Sequence, residues 1–219
     1  MTIAVKICGV NSVAAAKAAV AGGADYVGLV FYPPSPRFLT PEEAAKVAHP
    51  VPERIKKVGL FVDVHDEEIA AVMAEVPLDM LQLHGSETPG RVLGLRKRFG
   101  IPVMKAIKIA GERDVAEASR YFDAADWLLF DAKAPREMKG ALPGGNALRF
   151  DWRLIAARSW PLPWMLSGGL TAENVAEALR LSGAKAVDVS SGVEDRPGHK
   201  SPTKIAAFLE AAKRHAHAR

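Results

Sequence analysis

Two residues that could transfer protons follow short apolar segments of this chain. Cys8 follows Val5-Lys6-Ile7, and Asp131 follows the apolar run 127–130. A cysteine with a lowered pKa can act as a general base. An apolar setting favours the protonated form of a carboxyl group, which suits a general acid. Each residue also has a purely structural interpretation, since free cysteines are commonly buried and a carboxylate can cap a loop.

Two glycine-containing segments in the C-terminal third could bind a phosphate group. They are Ser167-Gly168-Gly169, which precedes a helix predicted to begin near Thr171, and Ser190-Ser191-Gly192. Glycines allow backbone N–H groups to approach an anion closely, and a helix N-terminus adds a favourable dipole. Both could equally be ordinary glycine turns. Their shared position after consecutive apolar segments favours one phosphate site.

Further polar candidates follow the second and fourth apolar segments. Arg37, in the proline-containing segment 32–38, could bind a carboxylate or lie on the surface. His84 follows Gln82-Leu83 and is either a substrate contact or a hydrogen-bonded core histidine. The sequence contains no HxxH, HExxH or CxxC spacing and no GxGxxG after a strand, so we expect neither a metal site nor a dinucleotide site.

The elements that must position these residues alternate regularly. Eight short runs rich in Val, Ile and Leu are each followed by a turn and an amphipathic segment, and the runs are 4–8, 26–31, 58–62, 80–83, 103–107, 127–130, 164–166 and 186–189. Continuous apolar runs indicate parallel strands that are buried on both faces. Eight strand–helix units favour a closed α/β barrel, the (β/α)8 or TIM barrel. A doubly wound sheet of about six strands is the alternative.

Helix start signals support this pattern. Thr40-Pro41-Glu42-Glu43 has the composition of a capping box. A last helix opens at Ser201-Pro202, with one apolar face formed by Ile205, Phe208, Leu209 and Ala212. The irregular stretch 132–149 directly follows the sixth predicted strand. In such barrels the active site forms at the carboxyl ends of the strands, so this loop is expected to border it.

Length and composition restrict the class of protein. The 219 residues fit one barrel domain spanning 1–219, and 49% hydrophobic with 25% charged residues is typical of a globular chain. A single cysteine, the lack of a membrane-length apolar run and the lack of a secretory signal predict a cytoplasmic protein that contacts no membrane. The pI is about 9.2, but the positive residues are dispersed, so we expect no nucleic-acid partner.

An ordered series of motifs resembles the phosphoribosylanthranilate isomerases of tryptophan biosynthesis. The series covers nearly the whole chain and comprises Lys6-Ile7-Cys8-Gly9, Gly28-Leu29-Val30-Phe31, Ser35-Pro36-Arg37, Gly59-Leu60-Phe61-Val62, Gln82-Leu83-His84-Gly85, Leu129-Phe130-Asp131, Gly144-Gly145, Phe150-Asp151-Trp152, Leu166-Ser167-Gly168-Gly169-Leu170 and Asp188-Val189-Ser190-Ser191-Gly192-Val193-Glu194. Each motif alone is weak, whereas the ordered set is specific.

The resemblance implies a (β/α)8 barrel that catalyses an Amadori rearrangement without a cofactor. It implies Asp131 as the general acid, Cys8 as the general base and Arg37 near the anthranilate carboxylate. Gln82 and His84 are predicted substrate contacts. The phosphate is expected on Gly168, Gly169, Ser190 and Gly192. The expected partner is a small phosphorylated substrate, and both a monomer and a homodimer stay open.

The sequence departs from the family in the loop before Phe150. Many members have Gly-Gly-Thr-Gly where this chain has Gly144-Gly145-Asn146-Ala147. Alanine adopts positive φ less readily than glycine, which makes the closed loop harder to form. Related phosphate-binding barrels fit less well. Indole-3-glycerol phosphate synthase has a longer N-terminal extension, and the histidine-pathway sugar isomerase is expected to have Asp where Cys8 stands.

Overall fold

The fold is a closed barrel of parallel strands surrounded by helices. A computed structural model describes residues 2–135, 137–138, 140–156 and 158–217, with side chains described as far as residue 214. The barrel strands are β1 Ala4–Cys8, β2 Tyr26–Val30, β3 Lys56–Phe61, β4 Met80–Leu83, β5 Val103–Ile109, β6 Trp127–Ala132, β7 Trp164–Leu166 and β8 Ala186–Val189. They pair in chain order, and β8 also pairs with β1. The predicted (β/α)8 barrel is confirmed, and closure excludes the doubly wound sheet.

Helices follow the strands around the outside of the barrel. They are α1 Val13–Ala21, α2 Pro41–Ala48, α3 Asp66–Glu75, α4 Pro89–Phe99, α5 Glu112–Glu117, α6 Arg153–Ala156, α7 Val175–Ser182 and α8 Pro202–His217. Short 3-10 helices cover Ala118–Tyr121 and Ser191–Val193. A small hairpin of β9 Glu194–Arg196 and β10 His199–Lys200 lies between β8 and α8.

Two predicted helix starts, at Thr40 and at Ser201-Pro202, are confirmed. Thr40 Oγ1 accepts a hydrogen bond from Glu43 N at 3.2 Å, and Glu43 Oε2 accepts one from Thr40 N at 2.9 Å, so the capping box is complete. The apolar face of α8 packs against the barrel, because its four predicted residues are at most 1% exposed: Ile205, Phe208, Leu209 and Ala212.

Several strand boundaries differ from the prediction. β2 ends at Val30, β3 covers Lys56–Phe61, and β5 extends to Ile109. β6 continues to Ala132, so Asp131 lies within the strand and not after it. The ladder between β5 and β6 continues past the apolar run because backbone groups, which are independent of side-chain polarity, make its hydrogen bonds.

Apolar and polar side chains occupy different parts of the barrel interior. A small apolar cluster contains Val58, Met80, Met104, Ala106, Leu129, Met165 and Ala186, and it packs against the first residues of β1, β2 and β6. The interior positions beyond it, toward the carboxyl ends, include the buried polar residues Lys6, Cys8 and Asp188. The apolar cluster closes one end of the barrel and leaves the reactive side chains at the other.

Candidate active site

A cavity opens at the carboxyl ends of the barrel strands. Its empty volume is about 710 Å³, and its walls include Cys8, Arg37, His84 and Asp131 together with the loop 142–148. These four side chains come from β1, from the loop after β2, from the residue after β4 and from β6. The barrel therefore brings together candidates that lie up to 123 residues apart in sequence (131 − 8).

Cys8 is the last residue of β1 and is 4% exposed. Burial raises the pKa of its thiol, the ammonium groups of Lys6 and Lys200 act in the opposite direction, and Asp188 raises the pKa further. The strand ends here because Gly9 has a φ of +71° and its Cα lies against Arg37. A Cβ at Gly9 would come within 2.5 Å of Arg37 Cδ, so this position requires glycine.

Asp131 is 5% exposed, and each of its carboxyl oxygens has a defined partner. Oδ1 accepts a hydrogen bond from the backbone N–H of Ala132 at 2.9 Å, and Oδ2 lies 3.2 Å from His84 Nε2. The side chain therefore has one orientation in the wall of the cavity. A carboxyl group held in this way is geometrically suited to proton transfer with a bound molecule.

Gln82 is not where a substrate contact would be. Its side chain is fully buried and does not line the cavity, and its Nε2 lies 2.9 Å from His84 Nδ1. As an interior residue of β4, Gln82 points beneath His84, so its predicted direct contact with the substrate stays a prediction. Which nitrogen of His84 donates in these two hydrogen bonds depends on the tautomer of the imidazole.

Arg37 lies in the cavity wall, but its guanidinium already binds a carboxylate of the protein. Its Nε and Nη2 donate to Glu194 at 2.7 and 2.9 Å, and Nη2 also donates to the Gly145 carbonyl at 3.3 Å. The arginine is 5% exposed, so the interpretation as a surface residue is wrong. Nη1 takes part in none of these bonds and is the part of the guanidinium left for a ligand.

The glycine pair after β7 offers free backbone donors. Gly168 and Gly169 have φ values of +91° and +61°, and within the described chain no protein group accepts a hydrogen bond from either amide. Such consecutive N–H groups form a concave anion site. α7 begins at Val175, four residues after the start expected near Thr171, and Asn174 binds the backbone of Thr171 and Gly169 just before it.

The segment after β8 contributes from the neighbouring wall. Ser190 lines the cavity, and its carbonyl oxygen accepts a hydrogen bond from Lys200 Nζ at 2.8 Å. Gly192 lies outside the main cavity and lines an adjoining one with Gly169. A Cβ at Gly192 would come within 1.9 Å of the Leu170 carbonyl oxygen, so this glycine allows the two loops to pack closely. The short 3-10 helix Ser191–Val193 begins directly after Ser190.

The long loop after β6 covers the cavity. A Cβ at Gly144 would come within 2.8 Å of both His84 Nε2 and Asp131 Oδ2, so the backbone lies directly over their hydrogen bond. Ala147 has a φ of +56°. This is the left-handed conformation that alanine adopts less readily than glycine. The loop thus adopts a closed conformation, at a steric cost of roughly 1–2 kcal/mol for that residue.

Known proteins resemble this chain over nearly its whole length. A sequence profile for N-(5'phosphoribosyl)anthranilate (PRA) isomerase matches residues 5–211. The N-(5'-phosphoribosyl)anthranilate isomerase of Rhodospirillum centenum is 59% identical over 212 residues, which cover 97% of this chain and 99% of that protein.

The chain belongs to the N-(5'-phosphoribosyl)anthranilate isomerase family.

Solved structures of the family have the same fold. Phosphoribosyl anthranilate isomerase from Thermotoga maritima superposes with a TM-score of 0.86 and 38% identity, covering 96% of this chain and 98% of that one. A phosphoribosyl anthranilate isomerase in complex with reduced 1-(o-carboxyphenylamino)-1-deoxyribulose 5-phosphate superposes with a TM-score of 0.81 and 36% identity, with the same coverage. The family predicted from the ordered motifs is confirmed, and with it the isomerase activity in tryptophan biosynthesis.

Four charged residues at the site were not predicted from the sequence. Lys6, Asp188, Glu194 and Lys200 form buried ion pairs around Cys8 and Arg37, with Lys6–Asp188 and Lys200–Glu194 distances of 2.8 Å. A signal was present for two of them, because Lys6 and Asp188 are charged residues inside apolar strands, where burial without a partner is costly. Their pairing was not visible, since 182 residues separate them.

In the described part of the chain, no group of three or more His, Cys, Asp or Glu side chains is placed to hold a metal ion. Among the same residues, no helix is both long and apolar enough to cross a membrane.

Proposed function

We propose that this isomerase converts N-(5'-phosphoribosyl)anthranilate into 1-(2-carboxyphenylamino)-1-deoxyribulose 5-phosphate, with Asp131 as the general acid and Cys8 as the general base. The observation that carries the proposal is the presence of both side chains in one cavity, on strands β1 and β6 of the eight-stranded barrel. Strands so far apart in the barrel lie on different sides of its axis. A substrate between them meets an acid on one side and a base on the other.

Two proton transfers complete the rearrangement. Asp131 gives its proton to the ring oxygen of the ribose, the C1–O bond breaks, and the nitrogen lone pair forms a protonated Schiff base. The Cys8 thiolate then removes the proton from C2, and that electron pair forms the C1–C2 double bond of an enolamine. Tautomerisation yields the ketone, with Asp131 left as a carboxylate and Cys8 as a thiol. Each transfer by a positioned group accelerates its step by roughly 10²- to 10⁴-fold.

His84 and Gln82 support the acid. His84 Nε2 lies 3.2 Å from Asp131 Oδ2, and Gln82 holds the other imidazole nitrogen at 2.9 Å. We assign His84 to the orientation of the carboxyl group and to contact with the substrate, because it also lines the cavity. Gln82 acts only through His84.

The phosphate and the carboxylate of the substrate supply binding energy away from the reacting atoms. The free amides of Gly168 and Gly169, with Ser190 on the neighbouring wall, suit the phosphate. Gly192 supports that site by allowing the loops to approach each other. Arg37, oriented by Glu194, suits the anthranilate carboxylate. Two anchors of this kind place the sugar between Cys8 and Asp131.

The proposed chemistry indicates the partner of the enzyme, and its cysteine content indicates the cellular location. A small phosphorylated molecule is the expected partner, and the proton-transfer steps need no cofactor. We expect the enzyme in the cytoplasm, because its single cysteine cannot form an internal disulfide. Monomer and homodimer both fit the proposed chemistry.

Turnover in single-residue variants tests the two catalytic roles. The substrate is generated in place from anthranilate and phosphoribosyl pyrophosphate by the preceding transferase, and the loss of its fluorescence is followed. We expect Cys8→Ala and Asp131→Asn each to lower kcat by about 10²- to 10⁴-fold with the circular dichroism spectrum unchanged. Asp151→Asn is the matched control, because Asp151 pairs only with Arg153 at the surface.

The possible results of this experiment test the substrate and the roles of the two residues separately. A wild-type rate no faster than spontaneous decay contradicts the substrate. Normal turnover in either Cys8→Ala or Asp131→Asn contradicts the role of that residue while leaving the substrate assignment intact.

A further inference from the structure

Lys6 is a buried charge that neither proton transfer uses. It lies on β1 two residues before Cys8, so both side chains point to the interior of the barrel. Its side chain is 0% exposed. A buried ammonium group is costly unless partners compensate for the lost water, so its presence beside the only cysteine of the chain calls for an explanation.

Asp188 and Ser167 hold the Lys6 side chain in place. Lys6 pairs in register with Asp188 of β8, and its Nζ lies 2.8 Å from Asp188 Oδ1. The second carboxylate oxygen accepts a hydrogen bond from Ser167 Oγ at 3.1 Å. Both carboxylate oxygens of Asp188 therefore accept a hydrogen bond, and the ammonium group of Lys6 has a defined position.

Gly28 makes room for Lys6 and Cys8 to lie side by side. It pairs in register with Cys8 on β2, and a Cβ at this position would lie 2.9 Å from Cys8 Sγ and 3.2 Å from Lys6 Cε. The same small volume next to β2 is thus shared by the thiol and by the end of the lysine side chain. The thiol of Cys8 and the end of the Lys6 side chain are therefore close neighbours, and charges that lie close together away from water interact strongly.

We propose that the buried ammonium group of Lys6, fixed by Asp188, stabilises the thiolate form of Cys8 and thereby allows Cys8 to act as a base. Lys6 is a positioning residue, and this inference rests on the general-base role proposed for Cys8. The effects of Lys6 and Cys8 on each other's pKa have the direction that the proposal requires. Burial raises the pKa of Cys8 and the charge of Lys6 opposes that rise, while Asp188 and Cys8 together hold the pKa of Lys6 above its usual value despite burial.

Other charged groups around Cys8 do not replace Lys6. Lys200 also favours the thiolate, but it contributes less than Lys6, and its Nζ is bound to Glu194 and to the Ser190 carbonyl, both at 2.8 Å. Asp188 disfavours the thiolate. Among the described residues, the other titratable or charged groups that line the cavity are Tyr32, Arg37, His84 and Asp131, and Glu194 lies behind Arg37.

Direct titration of the thiol tests the proposal independently of activity. Cys8 is the only cysteine, so the thiolate absorbance near 240 nm, measured as a difference from the matching Cys8→Ser protein, reports this residue alone. We expect Lys6→Met to raise the titration midpoint by about one pH unit or more, a tenfold change in acidity. Asp188→Asn should lower it, because it removes the opposing charge. The double variant should lie between the two.

Lys105→Met is the matched control. Lys105 is another buried barrel lysine, 2.9 Å from Glu87, but it lies on β5 and does not contribute to the pKa of Cys8. Its replacement should leave the thiol midpoint unchanged. Lys6→Met leaves Asp188 without a partner. If the variant does not fold for that reason, the double variant of Lys6→Met and Asp188→Asn tests the proposal through the titration midpoint of its thiol.

Activity distinguishes this effect from a structural defect. With Lys6→Met, kcat/KM should fall by about tenfold near neutral pH and recover as the pH rises past the new midpoint. An unchanged thiol midpoint in folded Lys6→Met, or an equal shift in Lys105→Met, overturns the proposal. A shifted midpoint together with full activity of Cys8→Ala would instead support the effect of Lys6 and contradict the base role of Cys8.

Discussion

Cys8 and Asp131 line the same cavity, yet different kinds of group surround them. Buried ions surround the Cys8 side, with Lys6 paired to Asp188 and Lys200 paired to Glu194. On the Asp131 side, the hydrogen-bond partners of the carboxyl group are a backbone amide and an imidazole. Lys108, in register with Asp131 on β5, is half-buried, and burial lowers the pKa of its ammonium group.

This difference matches the opposite demands on the proposed base and the proposed acid. A base must lose its proton before reaction, and a nearby positive charge favours that loss. An acid must keep its proton, which formal positive charges would disfavour. One ion pair lies between β1 and β8 and another on the hairpin of β9 and β10, whereas a backbone amide and an imidazole lie at the ends of β6 and β4.

The pH dependence of thiol reactivity gives the largest expected effect. Because burial, the largest contribution, raises the pKa of Cys8, the thiol predominates at neutral pH in the free enzyme. The alkylation rate of this single cysteine should therefore rise about tenfold per pH unit, or about 100-fold from pH 7 to pH 9, without a plateau. The control is the same protein unfolded in urea, whose rate should level off earlier. A plateau below pH 8 in the folded enzyme would contradict the description of the Cys8 side.

Arg37→Met should have the next largest effect. Loss of a charge-assisted contact with the substrate carboxylate corresponds to about 1.5–3 kcal/mol, so KM should rise about 10- to 100-fold. Steady-state kinetics measure this, with Arg153→Met as control because its ion pair with Asp151 is at the surface. A fall in kcat with unchanged KM would mean that Arg37 acts on Glu194 and its neighbours and not on the substrate.

Gln82→Met tests the Asp131 side. It removes one buried hydrogen bond to His84 without creating space, and the loss of about 1 kcal/mol should lower kcat about fivefold while KM stays constant. Ser182→Ala removes a buried hydrogen bond in α7, outside the site, and should leave kcat unchanged. An increase in KM without loss of kcat would restore the original interpretation of Gln82 as a substrate contact.

Ala147→Gly should have the smallest effect. Glycine relieves the left-handed conformation at φ +56° but increases the entropy of the unfolded chain, so the free energy of unfolding should change by less than about 1 kcal/mol. Urea unfolding measures this, and kcat should stay within about threefold. Ala141→Gly, in the same loop but without positive φ, should only destabilise. A large gain in kcat for Ala147→Gly would show that the strained alanine limits loop closure.

Local patterns in the sequence predicted much of the fold. The boundaries of β1, β4, β7 and β8 were predicted correctly, because each is a mostly apolar run that a glycine or polar residue follows: Gly9, His84, Ser167 and Ser190. The capping box at Thr40 was also correct, since it depends on side chains three residues apart. Predictions were wrong where backbone hydrogen bonds between strands extend an element, as at the end of β6. The start of α7 was placed four residues too early.

The sequence by itself determined the barrel, the family and the residue types available for acid–base chemistry, because these depend on periodicity and on an ordered set of motifs. Only the tertiary structure decided the partners of those residues. The Lys6–Asp188 and Arg37–Glu194 pairs join positions 182 and 157 residues apart. Gln82 lies beneath His84, outside the cavity wall. Such pairs depend on strand register and barrel closure, which bring distant side chains within hydrogen-bonding distance and which no local pattern encodes.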